Sequence, residues 1–222
     1  MHPAWLKKPE VEPFERAPFV VLAIKRAHPG QFHVGIVHRS DAETPRLLHL
    51  AWHEDLRNGP PSAEYCWTRL PFERAICRSL AGICRKVARW YTEGEPLPYG
   101  FDDHGTAFDP NTGVVQLGSD SSGLTCSTFV LAVFRSQRYD LLRLDSWPNR
   151  EEDEAWADQV ACALEEDGAT DEHVQRVRRC IGKAVRVRPE ELVGAVGLVS
   201  DLPADFEPAV RGAETIKLAL GR

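Results

Sequence analysis

The stretch GLTCSTFVLAVF, Gly123–Phe134, places one cysteine, Cys126, at the start of a continuous apolar run. Extended to residues 125–138, the run is long enough for a buried helix, although its β-branched residues leave a strand open. In a helix, Cys126 lies in the first turn, where unpaired N–H groups and the helix dipole lower the pKa of a thiol and can stabilise an oxyanion. A free cysteine in an apolar segment is more often a small core residue. From this stretch alone, Cys126 can be either a nucleophile or a packing residue.

The residues before Cys126 carry the signals of an antiparallel sheet followed by an amphipathic helix. β-branched and aromatic runs separated by turn residues predict three strands and a possible fourth, at 19–27, 31–39, 46–53 and 64–71. Between 72 and 92 the apolar residues recur at three- and four-residue steps, which predicts a helix. The segment DPNTG, 109–113, is a turn signal for the tip of a small hairpin.

The composition changes after Pro148, and the C-terminal third reads as helical. Three helices are predicted there: one following Asn149 with an acidic first turn, one capped by Thr170, and one with Pro189 in its first turn. The order of elements is typical of an α+β fold rather than alternating βαβ units. We therefore divide the chain into an extended arm at 1–17, an α+β domain at 18–148 and a helical addition at 149–222, packing on the same domain.

Length, charge and cysteine usage limit the class of protein. The chain has 222 residues, 43% of them hydrophobic, and a net charge of -6, so it can bury one core and a dominant nucleic-acid role is excluded. The sequence contains no run of about 18 apolar residues, so no membrane-spanning helix is predicted. The acidic, proline-rich N-terminus lacks the apolar core of a signal peptide, and six irregularly spaced cysteines indicate reduced thiols. These features predict a cytoplasmic protein as synthesised, with signal-peptide-independent secretion left open.

A cysteine nucleophile needs a base, and His33 and His49 are the candidates because each is flanked on both sides by apolar residues of a strand segment. His33 shares a strand face with Gly35, whose lack of a side chain lets another segment come close, and His49 interrupts the apolar run of the next strand. Adjacent strands can place one imidazole beside the other, so that the second orients the first. His2, His28 and His173 are most simply solvated, and a contribution of His104, in an acidic loop, stays open.

These residues carry a resemblance to a known family. HVGIV at 33–37, LLHLA at 47–51 and CSTFVLAVF at 126–134 together resemble the NlpC-type papain-like cysteine peptidases. Because the histidines precede the cysteine, the order resembles the circularly permuted branch that contains YiiX-like bacterial proteins and lecithin retinol acyltransferase. EGEPLPYGF at 93–101 and RPEELVGA at 188–195 are similar to further segments of that branch. The resemblance covers roughly residues 18–139 and 188–195.

The resemblance implies a permuted papain-like domain, with an antiparallel sheet packed on the Cys126 helix. It implies Cys126 as the nucleophile, His33 as the general base and His49 as its orienting partner. Tyr99, Thr125 and Ser127 are the implied substrate-binding residues. The chain departs from the family in the Leu-Thr before the cysteine, the Ser-Thr-Phe after it, the long loop between Tyr99 and Cys126, and the helices at 149–182.

The implied activity is a cysteine hydrolase that cleaves an amide bond in a peptide, including cell-wall peptides if the chain is delivered outside the cytosol. Two alternatives stay open: a lipid acyl hydrolase or acyltransferase with the same triad, and a catalytically silent module whose C-terminal helices bind a protein partner. No cofactor and no metal are predicted, because the acidic loop at 102–111 lacks the spacing of a calcium-binding loop. The basic segment at 174–188 follows an acidic one, so internal charge pairing or a partner surface explains it better than nucleic acid.

Overall fold

The computed structural model describes residues 3–41, 43–93, 96–102, 105–183 and 185–221, and its centre is a six-stranded sheet. All neighbouring strands pair antiparallel. The strands are β1 Leu6–Lys7, β2 Val20–His28, β3 Gln31–His38, β4 Arg46–Trp52, β5 Asp55–Gly59 and β6 Cys66–Arg69, in the spatial order β1-β6-β2-β3-β4-β5. A separate hairpin pairs β7, Ala107–Phe108, with β8, Val115–Gln116, around the predicted DPNTG turn.

The meander from β2 to β5 follows from short turns between strands with buried faces. Gly30 closes the β2–β3 turn with a φ of +73°, a left-handed conformation that glycine adopts without strain. The register then places Val20 opposite His38, and β4 continues the sheet by pairing with β3. The predicted strands are confirmed, while β5, whose sequence DLRNG is short and polar, was not predicted.

Six helices of the described residues pack against the sheet or against one another. They are α1 Arg74–Glu93, α2 Cys126–Arg135, α3 Glu151–Glu166, α4 Asp171–Cys180, α5 Pro189–Leu198 and α6 Phe206–Leu220. Together with the sheet they confirm the α+β class. Among the helices of this part of the chain, none combines the length and apolarity needed to cross a bilayer.

The apolar run after Cys126 is a helix, so the strand alternative is wrong. Thr125 caps α2 by accepting a hydrogen bond from the N–H of Thr128 at 3.2 Å, and the Thr128 hydroxyl accepts the N–H of Thr125 at 2.8 Å. This reciprocal cap satisfies two backbone donors and fixes the first turn. Every residue from 126 to 134 is buried, which makes α2 the central helix of the core.

The N-terminal arm and the C-terminal helices belong to the same packed body. Leu6 is buried in β1, which pairs with β6, and Phe14 packs on Trp67 with ring centroids 6.4 Å apart, so residues 3–17 are not a free extended arm. Helix α6, which was not predicted, packs closely on α5 through Gly194 and Gly212. A Cβ at either glycine would come within 2.4 Å of the other helix backbone.

The acidic and basic segments of the C-terminal third pair with each other. Asp153 on α3 accepts hydrogen bonds from Arg150 at 2.6 Å, Arg188 at 2.9 Å and Arg186 at 3.2 Å. On α4, Arg178 pairs with Glu165 of α3 at 2.8 Å. Of the two sequence explanations for these charges, intramolecular pairing is therefore confirmed for this cluster.

Candidate active site

Cys126 lies at the edge of a cleft between the sheet and the C-terminal helices. The cleft has a volume of about 750 Å³. We call it the Cys126 cleft. Its lining includes His33, Tyr99 and Cys126 on one side, and Trp156, Arg186 and Glu190 on the other. Cys126 is 7% exposed, so it is largely buried and opens into this cleft.

The first turn of α2 leaves two backbone donors beside the thiol. The cap uses the N–H groups of Thr125 and Thr128. Among the described residues, no backbone acceptor takes the N–H of Cys126, and the N–H of Ser127 lies beside the Cys126 sulfur, whose thiolate it favours. Free N–H groups at a helix start are suited to hold a developing oxyanion.

His33 and His49 are brought into direct contact by strands β3 and β4. Nε2 of His33 lies 2.8 Å from Nδ1 of His49, and the rings meet edge to face with centroids 4.8 Å apart. Gly35 permits this approach, since a Cβ at that position would lie 2.8 Å from Cβ of His49. The sequence prediction that Gly35 lets a second segment come close to the imidazole is confirmed.

The imidazole of His33, but not that of His49, reaches the Cys126 cleft, and within the described residues it makes no hydrogen bond to the thiol. His33 and Cys126 both line the cleft, and the backbone N–H of Val34, next to His33 in β3, favours the Cys126 thiolate by hydrogen bonding. Among the described residues, no hydrogen bond joins the sulfur to His33, and none uses Nδ1 of His33. The pair therefore leaves one His33 nitrogen available.

Burial dominates the acidity of Cys126. It raises the pKa of the Cys126 thiol above its ordinary value, against hydrogen bonds from Val34 and Ser127 and the positive charge of Arg186, which lower it. The position of Cys126 at a helix start predicts a lowered pKa of its thiol, and that prediction is wrong for the protein without substrate. The resting thiol is protonated at neutral pH, so an attack on substrate needs a base.

Burial also keeps both imidazoles uncharged. Desolvation, reinforced by the neighbouring His49, lowers the pKa of His33 to about 3. Desolvation together with the charge of Arg57 lowers the pKa of His49 to about 4. Both rings are neutral at pH 7, and a neutral imidazole is the form that can accept a proton.

The buried histidines make the folded chain sensitive to acid. Besides His33 and His49, burial lowers the pKa of His38 to about 4. The unfolded chain, with histidine pKa values near 6.5, therefore binds more protons between about pH 3 and pH 6.5, and the free energy of unfolding falls as the pH drops through that range. We expect a lower Tm at pH 5 than at pH 7, by calorimetry, and a smaller difference in His38→Gln. An equal Tm at both pH values would contradict these shifts.

The three residues predicted to bind substrate have different surroundings. Tyr99 is buried at the Cys126 cleft and packs on Trp52 with ring centroids 4.6 Å apart, while its carbonyl accepts a hydrogen bond from His173 at 2.9 Å. The Thr125 hydroxyl is engaged in capping α2. The Ser127 hydroxyl oxygen is buried without a hydrogen-bond partner within the described residues, and it lies close enough to favour the Cys126 thiolate. The Thr125 hydroxyl is therefore occupied by the cap, whereas that of Ser127 is not.

Predictions for several individual residues are wrong or concern residues outside the described part. His173 is not simply solvated, since it bonds Tyr99 and stacks on His53 with centroids 4.4 Å apart. Asp109 accepts the N–H groups of Asn111 and Thr112 at 2.8 Å, so it closes a turn. His104 and Asp103 lie outside the described residues.

Sequence reasoning missed three side chains around the thiol and the imidazoles. The Tyr65 ring lies 6.4 Å from those of both His33 and His49, and burial raises the pKa of Tyr65, with the Cys126 charge adding to the effect. Trp156 and Arg186 form the opposite wall of the Cys126 cleft. No local pattern marks these residues, because they reach the site through packing between distant segments.

Comparisons with known proteins give no further assignment. A scan against protein-family models, a search of curated proteins and a search of solved structures each found no match.

Replacing Gly35 by alanine tests the packing of the imidazole pair. The new Cβ would lie 2.8 Å from Cβ of His49 and 3.0 Å from the carbonyl oxygen of Leu48 in β4, so β4 must shift. We expect the free energy of unfolding in urea to fall by about 1–3 kcal/mol. Gly59→Ala is the matched control, since a Cβ on that β5 residue meets nothing within 4 Å. Equal stability of the two variants would show that the close approach at Gly35 is wrong.

Proposed function

We propose that this chain is a cysteine hydrolase that cleaves an amide bond in a peptide, with a permuted papain-like domain as its fold. The observation that carries the proposal is the placement of Cys126, at the start of α2, in one cleft with His33, whose imidazole is hydrogen-bonded to His49. A helix-start thiol, a neutral imidazole and a third group bonded to that imidazole are the parts of a cysteine triad.

In the proposed reaction, His33 takes the proton of the Cys126 thiol as the sulfur attacks the substrate carbonyl carbon. The tetrahedral intermediate places its oxyanion at the N–H groups of Cys126 and Ser127 at the start of α2. The C–N bond then breaks, and His33 gives its proton to the leaving amine. Water, deprotonated by His33, attacks the thioester, releases the carboxylic acid and restores the thiol.

The resting protonation states support general-base catalysis rather than a preformed ion pair. Burial raises the pKa of Cys126 and lowers that of His33, so both are neutral before substrate binds. The missing hydrogen bond between them is compatible with this role, because catalytic contacts often tighten only in the substrate complex.

We assign His49 the role of holding His33. In the tautomer in which Nε2 of His33 donates its hydrogen to Nδ1 of His49, Nδ1 of His33 keeps a lone pair and can accept a proton. His49 is thus a positioning residue.

The walls of the Cys126 cleft favour a peptide over a lipid acyl chain. Charged side chains line it on the C-terminal side, including Arg186, Arg188, Glu190 and Lys217. An acyl chain gains its binding energy from apolar contact, whereas peptide groups and charged side chains find partners on such walls. The silent interaction module is the less favoured reading, since such a module has no need of the paired imidazoles.

The test is to find which molecule acylates Cys126. Wild-type protein and Cys126→Ala are incubated with peptides, peptidoglycan fragments and phospholipids, and adducts are located by peptide mass spectrometry. We expect a peptide-derived thioester on Cys126, absent from Cys126→Ala and unchanged in Cys162→Ala. A fatty-acyl adduct would favour the lipid alternative. The absence of any Cys126 adduct with all three classes would overturn the hydrolase proposal.

A further inference from the structure

We propose that Arg186 forms an anion subsite beside Cys126, so that the preferred substrates are acidic peptides with a carboxylate next to the scissile amide. The inference rests on the proposed function and names the substrate class of the same site. It starts from a residue that no sequence motif marked, on the wall of the Cys126 cleft formed by the C-terminal addition.

Arg186 and Cys126 open into the same cleft. Both side chains line the Cys126 cleft, and the Arg186 charge favours the Cys126 thiolate. The Arg186 side chain is 20% exposed, so it is mostly packed but still accessible. An anion bound there would sit in a partly desolvated site, where charged hydrogen bonds are stronger than in water.

The guanidinium group is held rigidly before any ligand arrives. It lies over the ring of Trp156, 3.7 Å from the centroid, and its Nη1 donates to Asp153 at 3.2 Å. Arg150 donates from Nη2 to the Arg186 carbonyl at 2.8 Å, which fixes the backbone as well. Preorganisation of this kind reduces the entropy lost when a ligand binds.

The charges around Arg186 leave it incompletely neutralised. Asp153 is the only carboxylate bonded to it within the described residues, and Arg150 and Arg188 share that carboxylate. Arg150 has Glu191 as a second partner, and Arg188 has Glu152. Arg186 therefore keeps guanidinium N–H groups that can donate to both oxygens of a ligand carboxylate.

The other charged groups that line the cleft carry both signs. Glu152 is paired with Arg188 at 3.0 Å, and burial raises the pKa of the second carboxyl, Glu190. Lys217 lines the same cleft and adds a positive charge. The local balance thus favours an anionic group on the substrate.

Two small alkylating reagents separate the anion subsite from the reactivity of the thiol. Iodoacetate and iodoacetamide both form an S–C bond at Cys126 and expel iodide, with the thiol proton lost to the base. Only iodoacetate carries a carboxylate. Taking N-acetylcysteinamide as the reference thiol, we expect the iodoacetate-to-iodoacetamide rate ratio at Cys126 to exceed the reference ratio by roughly tenfold.

The variants assign that preference to Arg186. We expect Arg186→Gln to return the ratio to that of the reference thiol and Arg186→Lys to keep part of the preference. Arg211→Gln, an exposed arginine on α6 paired with Glu207, should leave it unchanged. Glutarate added to the wild type should slow the alkylation of Cys126 by iodoacetate more than that by iodoacetamide. This result does not require any variant to fold.

The outcomes separate this inference from the function on which it rests. A reactive Cys126 whose ratio matches the reference thiol, or stays high in folded Arg186→Gln, overturns the anion subsite and leaves the hydrolase intact. A Cys126 whose alkylation by both reagents is as slow in the wild type as in folded His33→Gln contradicts the proposed function, and the inference fails with it.

Discussion

Cys126→Ala is expected to lower the turnover of any amide substrate cleaved by the wild type by at least about a thousandfold, because the variant has no nucleophile to form the acyl-enzyme. The fold should tolerate the change. The residue is small and buried, alanine is a good helix former, and the Thr125–Thr128 cap of α2 does not use the sulfur. Turnover is measured by liquid chromatography of the cleaved substrate, with folding followed by circular dichroism.

Two comparisons make the Cys126→Ala result specific. Cys162→Ala removes an exposed thiol and should keep full turnover. Cys126→Ser keeps a hydroxyl in place of the thiol and should also be severely impaired, since a serine hydroxyl is a much weaker nucleophile than a thiolate. If Cys126→Ala stays folded and retains more than about a tenth of the activity, far above the residual rate expected of a lost nucleophile, Cys126 is a packing residue.

His33→Gln is expected to slow acylation of Cys126 by roughly 100- to 10,000-fold, the range usual for loss of a general base. The structure makes this dependence strong, since burial raises the pKa of Cys126 and leaves little thiolate at neutral pH. The pH dependence supplies a signature. Without the base, acylation should follow the spontaneous ionisation of the thiol and keep rising with pH well above neutrality. The measurement is the pre-steady-state acylation rate between pH 5 and pH 10.

His38→Gln is the matched control for His33→Gln. His38 lies on the same strand β3, is buried, and bonds Asn58 of β5 at 3.0 Å, away from the Cys126 cleft. Its loss should affect stability and leave acylation near the wild-type rate. Equal effects of the two substitutions on acylation would contradict the assignment of His33 as the base.

The parts of the fold that sequence could predict are those with strong local periodicity. Helix α1 and strands β2 to β4 have long apolar patterns, and the paired imidazoles followed from a period of two plus Gly35. The strands β1 and β5 were missed because they are short and acquire their conformation by pairing with β6 and β4. The conformation of such short strands depends on pairing partners that are distant in sequence or carry no strand pattern of their own.

The candidate site was predictable on one side only. The sheet and α2 supply His33, His49 and Cys126, which stand out as polar groups in apolar runs. Arg186 on the opposite wall is 60 residues beyond Cys126 in sequence and is positioned by Trp156 and Asp153. The pKa of Cys126 was also predicted wrongly, because the burial of the thiol cannot be seen from its position at a helix start.

The most direct test of the central claim is to follow which thiol is acylated by a generic acyl donor. The native protein is mixed with p-nitrophenyl acetate at pH 7, quenched at short times and mapped by peptide mass spectrometry. The account predicts that acetyl appears first on Cys126, then decays as water releases it, and that His33→Gln abolishes this early signal. Acetylation that follows exposure, strongest on Cys162 and slow or absent on Cys126, would contradict it.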